Sequence, residues 1–452
     1  MTQKEALNIL KTGANIFLTG EPGSGKTHTV NEYVKYLREH GVEPAITAAT
    51  GIAATHLGGV TIHSWSGLGI KSHLDRYELD RLGSNEPVVK RLRAARVLII
   101  DEISMLSAET LDMVEAICRE VRGLNEPFGG LQVILVGDFF QLPPVSKRGS
   151  QSRFAYQSES WRHLKLVTCY LDEQYRQDDQ HLLAVLNAIR RQTLTDAHKS
   201  HLRERQQFPM VPPDITKLYS HNEDVDTVNN EELGKIKGAE NKFKMDSYGK
   251  EAVVAGLKRG CLSPEELCLK VGAVVMFTKN NQKSGVVNGS LGVVESFSGF
   301  ERLPQVRLRT GELVLAETAE WIVEENGKLL GRINQVPLRL AWAMTVHKSQ
   351  GLSLDAAVMD LSRVFEFGQG YVALSRVRRL DGLYLLGLNE QALRVHPEVL
   401  QKDESFRAAS AEAARAFNAI ETDDLKLMHN NFIKTISYSS PISKKRRPIA
   451  KK

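Results

Sequence analysis

The chain has 452 residues, of which 42% are hydrophobic and 25% charged, and its net charge is +5. That length supports several globular domains with their own cores, 34 glycines and 15 prolines exclude a low-complexity polymer, and the weak positive balance permits nucleic-acid binding without arguing for it. The cysteines (Cys118, Cys169, Cys261, Cys268) include no C-x-x-C pair, the first residues MTQKEALNILKTG have no signal-peptide pattern, and no apolar run is long enough to span a bilayer, so a soluble cytoplasmic protein with reduced structural thiols is expected.

Short apolar runs alternate with helical stretches through the first 170 residues. NIFLTG (15–20), EPAITAAT (43–50), VLIIDE (97–102) and QVILVGD (132–138) predict strands, and 27–40 and 107–122 predict helices. Each run is apolar throughout, which suits a parallel sheet covered on both faces, and the alternation predicts a doubly wound α/β domain. Residues 58–94 break the rhythm with the aromatic, Gly-rich VTIHSWSGLGI and a charged stretch, and are expected to be an insertion. A second α/β unit begins near Leu171, with candidate strands ITKLYS (215–220), VGAVVMFT (271–278), AAVMDL (356–361) and GLYLLG (382–387). Between them, 286–335 carries closely spaced turns and alternating strands, the pattern of a small antiparallel barrel. A helix is expected over 403–420, then a disordered tail from Ser437 ending KKRRPIAKK. That tail reads as a sequence-independent grip on phosphates, a nuclear signal or a solvated end.

GEPGSGKT at 20–27 is a complete P-loop following a strand and opening a helix. Gly20, Gly23, Ser24 and Gly25 let backbone N–H groups turn in on phosphate oxygens, Lys26 reaches the β- and γ-phosphates, and Thr27 ligates Mg²⁺. The strand VLIIDE places Asp101 at its carboxyl edge beside the P-loop to hold the same ion, and Glu102 to orient or deprotonate the attacking water. Gln141, in VGDFFQLPPV, is a candidate γ-phosphate sensor or a plain loop glutamine. Gln3 has an amide that matches adenine's edge, though an N-terminal glutamine is as readily solvated.

AATGIAATHLGG (48–59), IIDEISML (99–106), FGGLQVILVGDFFQLPPV (128–145), LDEQYRQ (171–177), MTVHKSQGLSLD (344–355) and YVALSRVR (371–378) follow the P-loop in the order of superfamily 1 helicases. The stretch at 128–145 resembles the signature of the petite-integration-frequency (PIF) family of superfamily 1B DNA helicases, and the chain is similar to its small bacterial members. The resemblance implies an α/β protein of two RecA-like P-loop NTPase domains, with a wedge insertion in the first and an SH3-like β-barrel in the second. The expected boundaries are 1–57 and 95–170 for the first domain, 58–94 for the wedge, 171–285 and 336–400 for the second domain, 286–335 for the barrel, and 401–452 for a C-terminal helix and basic tail. It further implies an ATP- and Mg²⁺-dependent helicase, not bound to a membrane, moving 5′ to 3′ on single-stranded DNA.

The implied partners are single-stranded, tailed and forked DNA, with G-quadruplexes and RNA–DNA hybrids as further candidates, in replication, repair or recombination; a monomer in solution is expected. Arg176 and Arg376 match the family's arginine fingers, and Gln3 its adenine-reading glutamine. Thr50, His63, His347 and Lys348 stand at its nucleic-acid contacts, with Gln350 and Gly351 linking that grip to ATP; Gly51 offers backbone donors beside Thr50, and Trp65 lies in the insertion as a candidate stacking ring. Trp65 fits equally well as the insertion's own core. A P-loop switch or loader ATPase, and a non-catalytic nucleic-acid module, are the alternatives from other classes.

Overall fold

The structure, a computed structural model, describes residues 1–69, 71, 73–144, 153–174, 179–207, 215–219, 225–279, 281, 286, 288, 290–300, 302–325, 328–346 and 349–438. Arg176, His347, Lys348 and the KKRRPIAKK tail lie outside the described residues. Among the described residues no helix is long and apolar enough to cross a membrane.

Six strands form the first sheet: β1 (Ile16–Gly20), β2 (Ala45–Ala48), β3 (Val60–Thr61), β4 (Val97–Asp101), β5 (Gln132–Val136) and β6 (Val167–Leu171). They lie in the order β3-β2-β4-β5-β1-β6, all parallel. Both faces are covered, which is why the strands are apolar throughout. Ile16 and Leu18 point into a core with Ala6, Ile9, Val30, Tyr33 and Leu37 from the helices Gln3–Leu10 and Lys26–Glu39. Phe17 points the other way, into a core with Leu111, Val114 and Ile117 of the helix Ala108–Arg122.

Residues 58–94 add the edge strand β3 and the helices Ile62–Ser66, Arg76–Gly83 and Glu86–Ala94, which pack on Ala108–Arg122. Thr61, Asp75 and Asn85 cap these helices through side-chain oxygens, each satisfying an otherwise unpaired N–H group. The buried Arg122 then ties the insertion down, donating to the Leu92 and Ala95 carbonyls at 2.8 Å each.

The second sheet comprises β7 (Lys217–Tyr219), β8 (Ala343–Thr345), β9 (Ala357–Leu361) and β10 (Leu383–Leu388), parallel in the order β8-β7-β9-β10. The stretch 271–278, expected to belong here, does not. Val274–Phe277 pairs antiparallel with Leu291–Ser298 and Leu338–Leu340, in a five-stranded sheet completed by Leu303–Leu308 and Leu313–Leu315. A continuous apolar run states only that a strand is buried on both faces, not which sheet it joins. Two smaller antiparallel sheets accompany it, and the helix Glu251–Gly260 packs against the helix Gly51–His56 of the first domain.

The C-terminal segment is more than one helix and a tail. The helix Pro397–Asn418 lies along β6, with the Phe406 ring 4.9 Å from that of Phe17, and the Tyr170 N–H donates to Ser410 Oγ at 2.9 Å. A second helix, Thr422–Tyr438, runs through Ser437 and returns to the N-terminal helix, placing Phe432 against Gly13.

Candidate functional site

The P-loop leaves β1 at Gly20 and enters the helix Lys26–Glu39 through Gly25, whose φ of 88° is left-handed. The conformation requires glycine, and a Cβ at Gly25 would also displace the Gln3 amide. Lys26 Nζ donates to the Gly20 and Glu21 carbonyls at 2.7 and 2.9 Å, and Ser24 Oγ is buried with no hydrogen-bond partner among the described residues.

Gln3 meets the same loop, its Nε2 donating to the Ser24 carbonyl at 3.2 Å. A Thr2–Glu5 capping box starts its helix, and Glu173 accepts the Gln3 N–H at 2.9 Å. The end of β6 therefore fixes Gln3 against the P-loop.

β5 runs between β1 and β4, so Asp101 and Glu102 stand two strands away from the P-loop, and the segment carrying Gln141 leaves the strand between them. Glu102 has φ 52° and ψ 46°, a left-handed conformation that is strained for a residue with a Cβ and is typical of functional turns. Burial raises the pKa of both carboxyls. For Asp101 the neighbouring charge of Glu102 adds to this; for Glu102 the charges of Lys26 and Arg376 oppose it. Like charges held together in this way suit a shared cation.

The second domain reaches this point directly. Gln350 Nε2 donates to Glu102 Oε2 at 3.0 Å and to Gln141 Oε1 at 3.4 Å, while Gln350 Oε1 is buried with no partner among the described residues. Gly351 follows with φ 80°. Arg376 is 1% exposed and donates from Nε to the Val372 carbonyl at 2.8 Å and from Nη2 to Ser375 Oγ at 2.7 Å. The structure thus gathers Lys26, Glu102, Gln141, Gln350 and Arg376 around one region, from two domains.

On the expected nucleic-acid side, Thr50 Oγ1 accepts the Ala53 N–H at 3.3 Å at the start of the helix Gly51–His56. His63 is half-buried, and its surroundings push the imidazole pKa down, favouring the neutral ring. Trp65 does not fit the base-stacking expectation. It is 4% exposed, in the cluster that holds Leu82, Val88 and Leu92, and so is the insertion's core. Trp65→Ala is expected to cost about 3–5 kcal/mol by emptying that core, read as a lower unfolding midpoint. An unchanged midpoint would return the ring to the surface.

Two residues of the site were not found from sequence. Asp138, in the quoted strand QVILVGD, is fully buried and paired with Arg190 at 2.8 Å. Arg190 lies in the last turn of the helix Gln180–Arg191 and resembles a surface cation, yet it continues the stripe Leu182, Val185, Leu186, Ile189 onto the buried face. An arginine on the apolar stripe of a helix was the available signal.

A family model described as "PIF1-like helicase" matches residues 2–192, and one described as "DNA helicase Pif1, 2B domain" matches residues 255–297. The chain is 42% identical to the ATP-dependent DNA helicase Pif1 of Psychrobacter sp., over 96% of this chain and 75% of that protein. It is 39% identical to the ATP-dependent DNA helicase PIF1 of Xenopus laevis, over 88% of this chain and 63% of that one, so it spans less than two thirds of that relative. Among solved structures, Bacteroides sp. Pif1 in complex with ADP-AlF4 is similar at a TM-score of 0.79 and 30% identity, covering 90% of this chain and 96% of that one. Bacteroides Pif1 bound to ssDNA gives 0.61 at 28% identity, covering 91% and 97%.

Proposed function

Because the chain belongs to the PIF1-like helicase family, we infer that it is an ATP-dependent DNA helicase whose hydrolysis site is shared between its two parallel-sheet domains. The observation that carries this reading is the contact of Gln350, from the second domain, with Glu102 and Gln141 of the first. A switch ATPase has no need of such a seam, whereas a motor must link closure of a cleft to a phosphate.

In this reading the glycines and Lys26 hold the triphosphate, and Gln3 reads the adenine edge. Thr27 and Asp101 hold Mg²⁺, which would neutralise charge on the phosphates. The residues suit such an ion, since Asp101 and Glu102 crowd two carboxyls together and burial raises both pKa values. Glu102 takes the proton of the attacking water, Gln141 senses the γ-phosphate, and Gln350, bonded to both, links that site to the grip on DNA. Arg376, from the second domain, stabilises charge on the transferring phosphoryl group, and Arg176 is assigned the same role.

Thr50, Gly51, His63, His347 and Lys348 grip the strand by its backbone, which gives salt-dependent, sequence-tolerant binding. Single-stranded DNA and forked duplexes are the substrates, and travel is 5′ to 3′. With duplexes tailed at the 5′ end, tailed at the 3′ end, or blunt, ATP-dependent strand separation is expected for the first alone, by at least about tenfold. Equal unwinding from a 3′ tail would overturn the polarity. ATP hydrolysis indifferent to single-stranded DNA would favour the switch reading.

A further inference from the structure

Arg190 is a buried cation that the hydrolysis chemistry above leaves unused. It is 1% exposed, and both terminal nitrogens of its guanidinium are engaged. Nη1 donates to Asp138 Oδ2 at 2.8 Å and to the Tyr371 hydroxyl at 3.1 Å, while Nη2 donates to the Tyr170 hydroxyl at 2.7 Å and stands 3.6 Å from Asp403 Oδ1. The guanidinium carbon lies 4.0 Å from the centre of the Phe140 ring. A buried ion pair is weak support for stability, because desolvating both charges offsets most of their attraction. A role in specifying geometry is the alternative worth testing.

The partners point to that role. Asp138 and Phe140 belong to the segment leaving β5, and the Gln141 N–H donates to the Asp138 carbonyl at 3.0 Å. Tyr371 belongs to the helix Gln369–Leu374, and Arg376 Nε bonds to the carbonyl of Val372, the next residue along. One guanidinium therefore touches the run of backbone that ends on Gln141 and the run that ends on Arg376.

We propose that Arg190 is a positioning residue for ATP hydrolysis, holding the Gln141 loop and the Arg376 helix in a single register so that the two act on the same phosphate together. The planar fork suits the task, because it fixes a carboxylate and two hydroxyls at set angles, which a lysine point charge does not. The inference rests on the helicase reading, and its test separates the two.

In the full-length chain, Arg190→Met, Arg190→Lys, Tyr371→Phe and the double variant Asp138→Asn/Arg190→Met would be compared with the unaltered protein. The measurements are ATP hydrolysis with and without oligo-dT, the Kd for a fluorescent ADP analogue, and the melting temperature. Misplacing two charge-stabilising groups should lower the DNA-stimulated kcat about 30-fold in both Arg190 single variants, with KM for ATP and the ADP-analogue Kd within about threefold. Tyr371→Phe should lose about threefold in kcat with an unchanged melting temperature. The double variant removes both buried charges, so it should regain the melting temperature lost in Arg190→Met yet keep the low kcat. Wild-type kcat in Tyr371→Phe or in the double variant would overturn the proposal. So would losses of kcat, nucleotide affinity and melting temperature that move together, because a merely structural ion pair behaves that way. Should Arg190→Met not fold, Tyr371→Phe and the double variant decide. Failure of DNA to stimulate hydrolysis by the unaltered protein would instead sink the helicase reading itself.

Discussion

Lys26→Ala is expected to reduce DNA-stimulated ATP hydrolysis by at least about 10³-fold while changing single-stranded DNA affinity by no more than about twofold. The lysine rises from the first turn of its helix, and its ammonium sits among the P-loop carbonyls of Gly20 and Glu21. No other cation of the first domain is proposed to take its place at the β- and γ-phosphates. The side chain is half-buried in the first turn of its helix, so the fold should tolerate alanine. The backbone grip on DNA is assigned to other segments and should keep its salt dependence. Phosphate release measures the first effect, and fluorescence anisotropy of a labelled oligonucleotide at several salt concentrations measures the second. A Lys26→Ala protein that still unwinds a tailed duplex would refute the mechanism as a whole.

Arg376→Ala should lower kcat by roughly 10³-fold, the scale of an arginine finger, with little change in the Kd for ADP. Its charge already reaches Glu102, opposing the rise in pKa that burial imposes there. Because Arg376 is also bonded to the Val372 carbonyl and Ser375 Oγ, alanine should lower the melting temperature as well. Arg376→Lys separates the two effects: it keeps a buried cation but not the planar fork, so activity should stay low while stability largely returns. Near-wild-type hydrolysis by Arg376→Lys would mean that position 376 supplies only charge, and near-wild-type hydrolysis by Arg376→Ala would remove it from the site.

The parts of this molecule that were legible in sequence are those whose signal is local. β1, β4 and β5 announce themselves as unbroken apolar runs, and the P-loop and Asp101–Glu102 stand at the ends of the first two. The strands β7, β9 and β10 were also anticipated. Harder were choices decided by distant partners. β6 and β8 were not anticipated, and Val274–Phe277 has the composition of a parallel strand but an antiparallel neighbour on each side. Trp65 could be core or base platform until the insertion's three helices were seen to close over it. Arg190 was missed because its partners, Asp138 and Tyr371, come from segments far away in the chain. The position of Asp101 was also simplified: β5 separates it from the P-loop, and that gap is what makes room for Gln141 between them.

The return of the C-terminal helices to the first domain bears on how the polypeptide acquires its shape during synthesis. Phe17 is made early, yet one side of it is covered by Phe406, and Gly13 is covered by Phe432. Domains ordinarily fold as they emerge, N-terminal first. Here the nucleotide-binding domain cannot complete its core until nearly all of the described chain has left the ribosome, and closing so long a loop is slow. Until then the β6 side of the sheet exposes apolar surface, a natural place for a chaperone to hold the nascent chain.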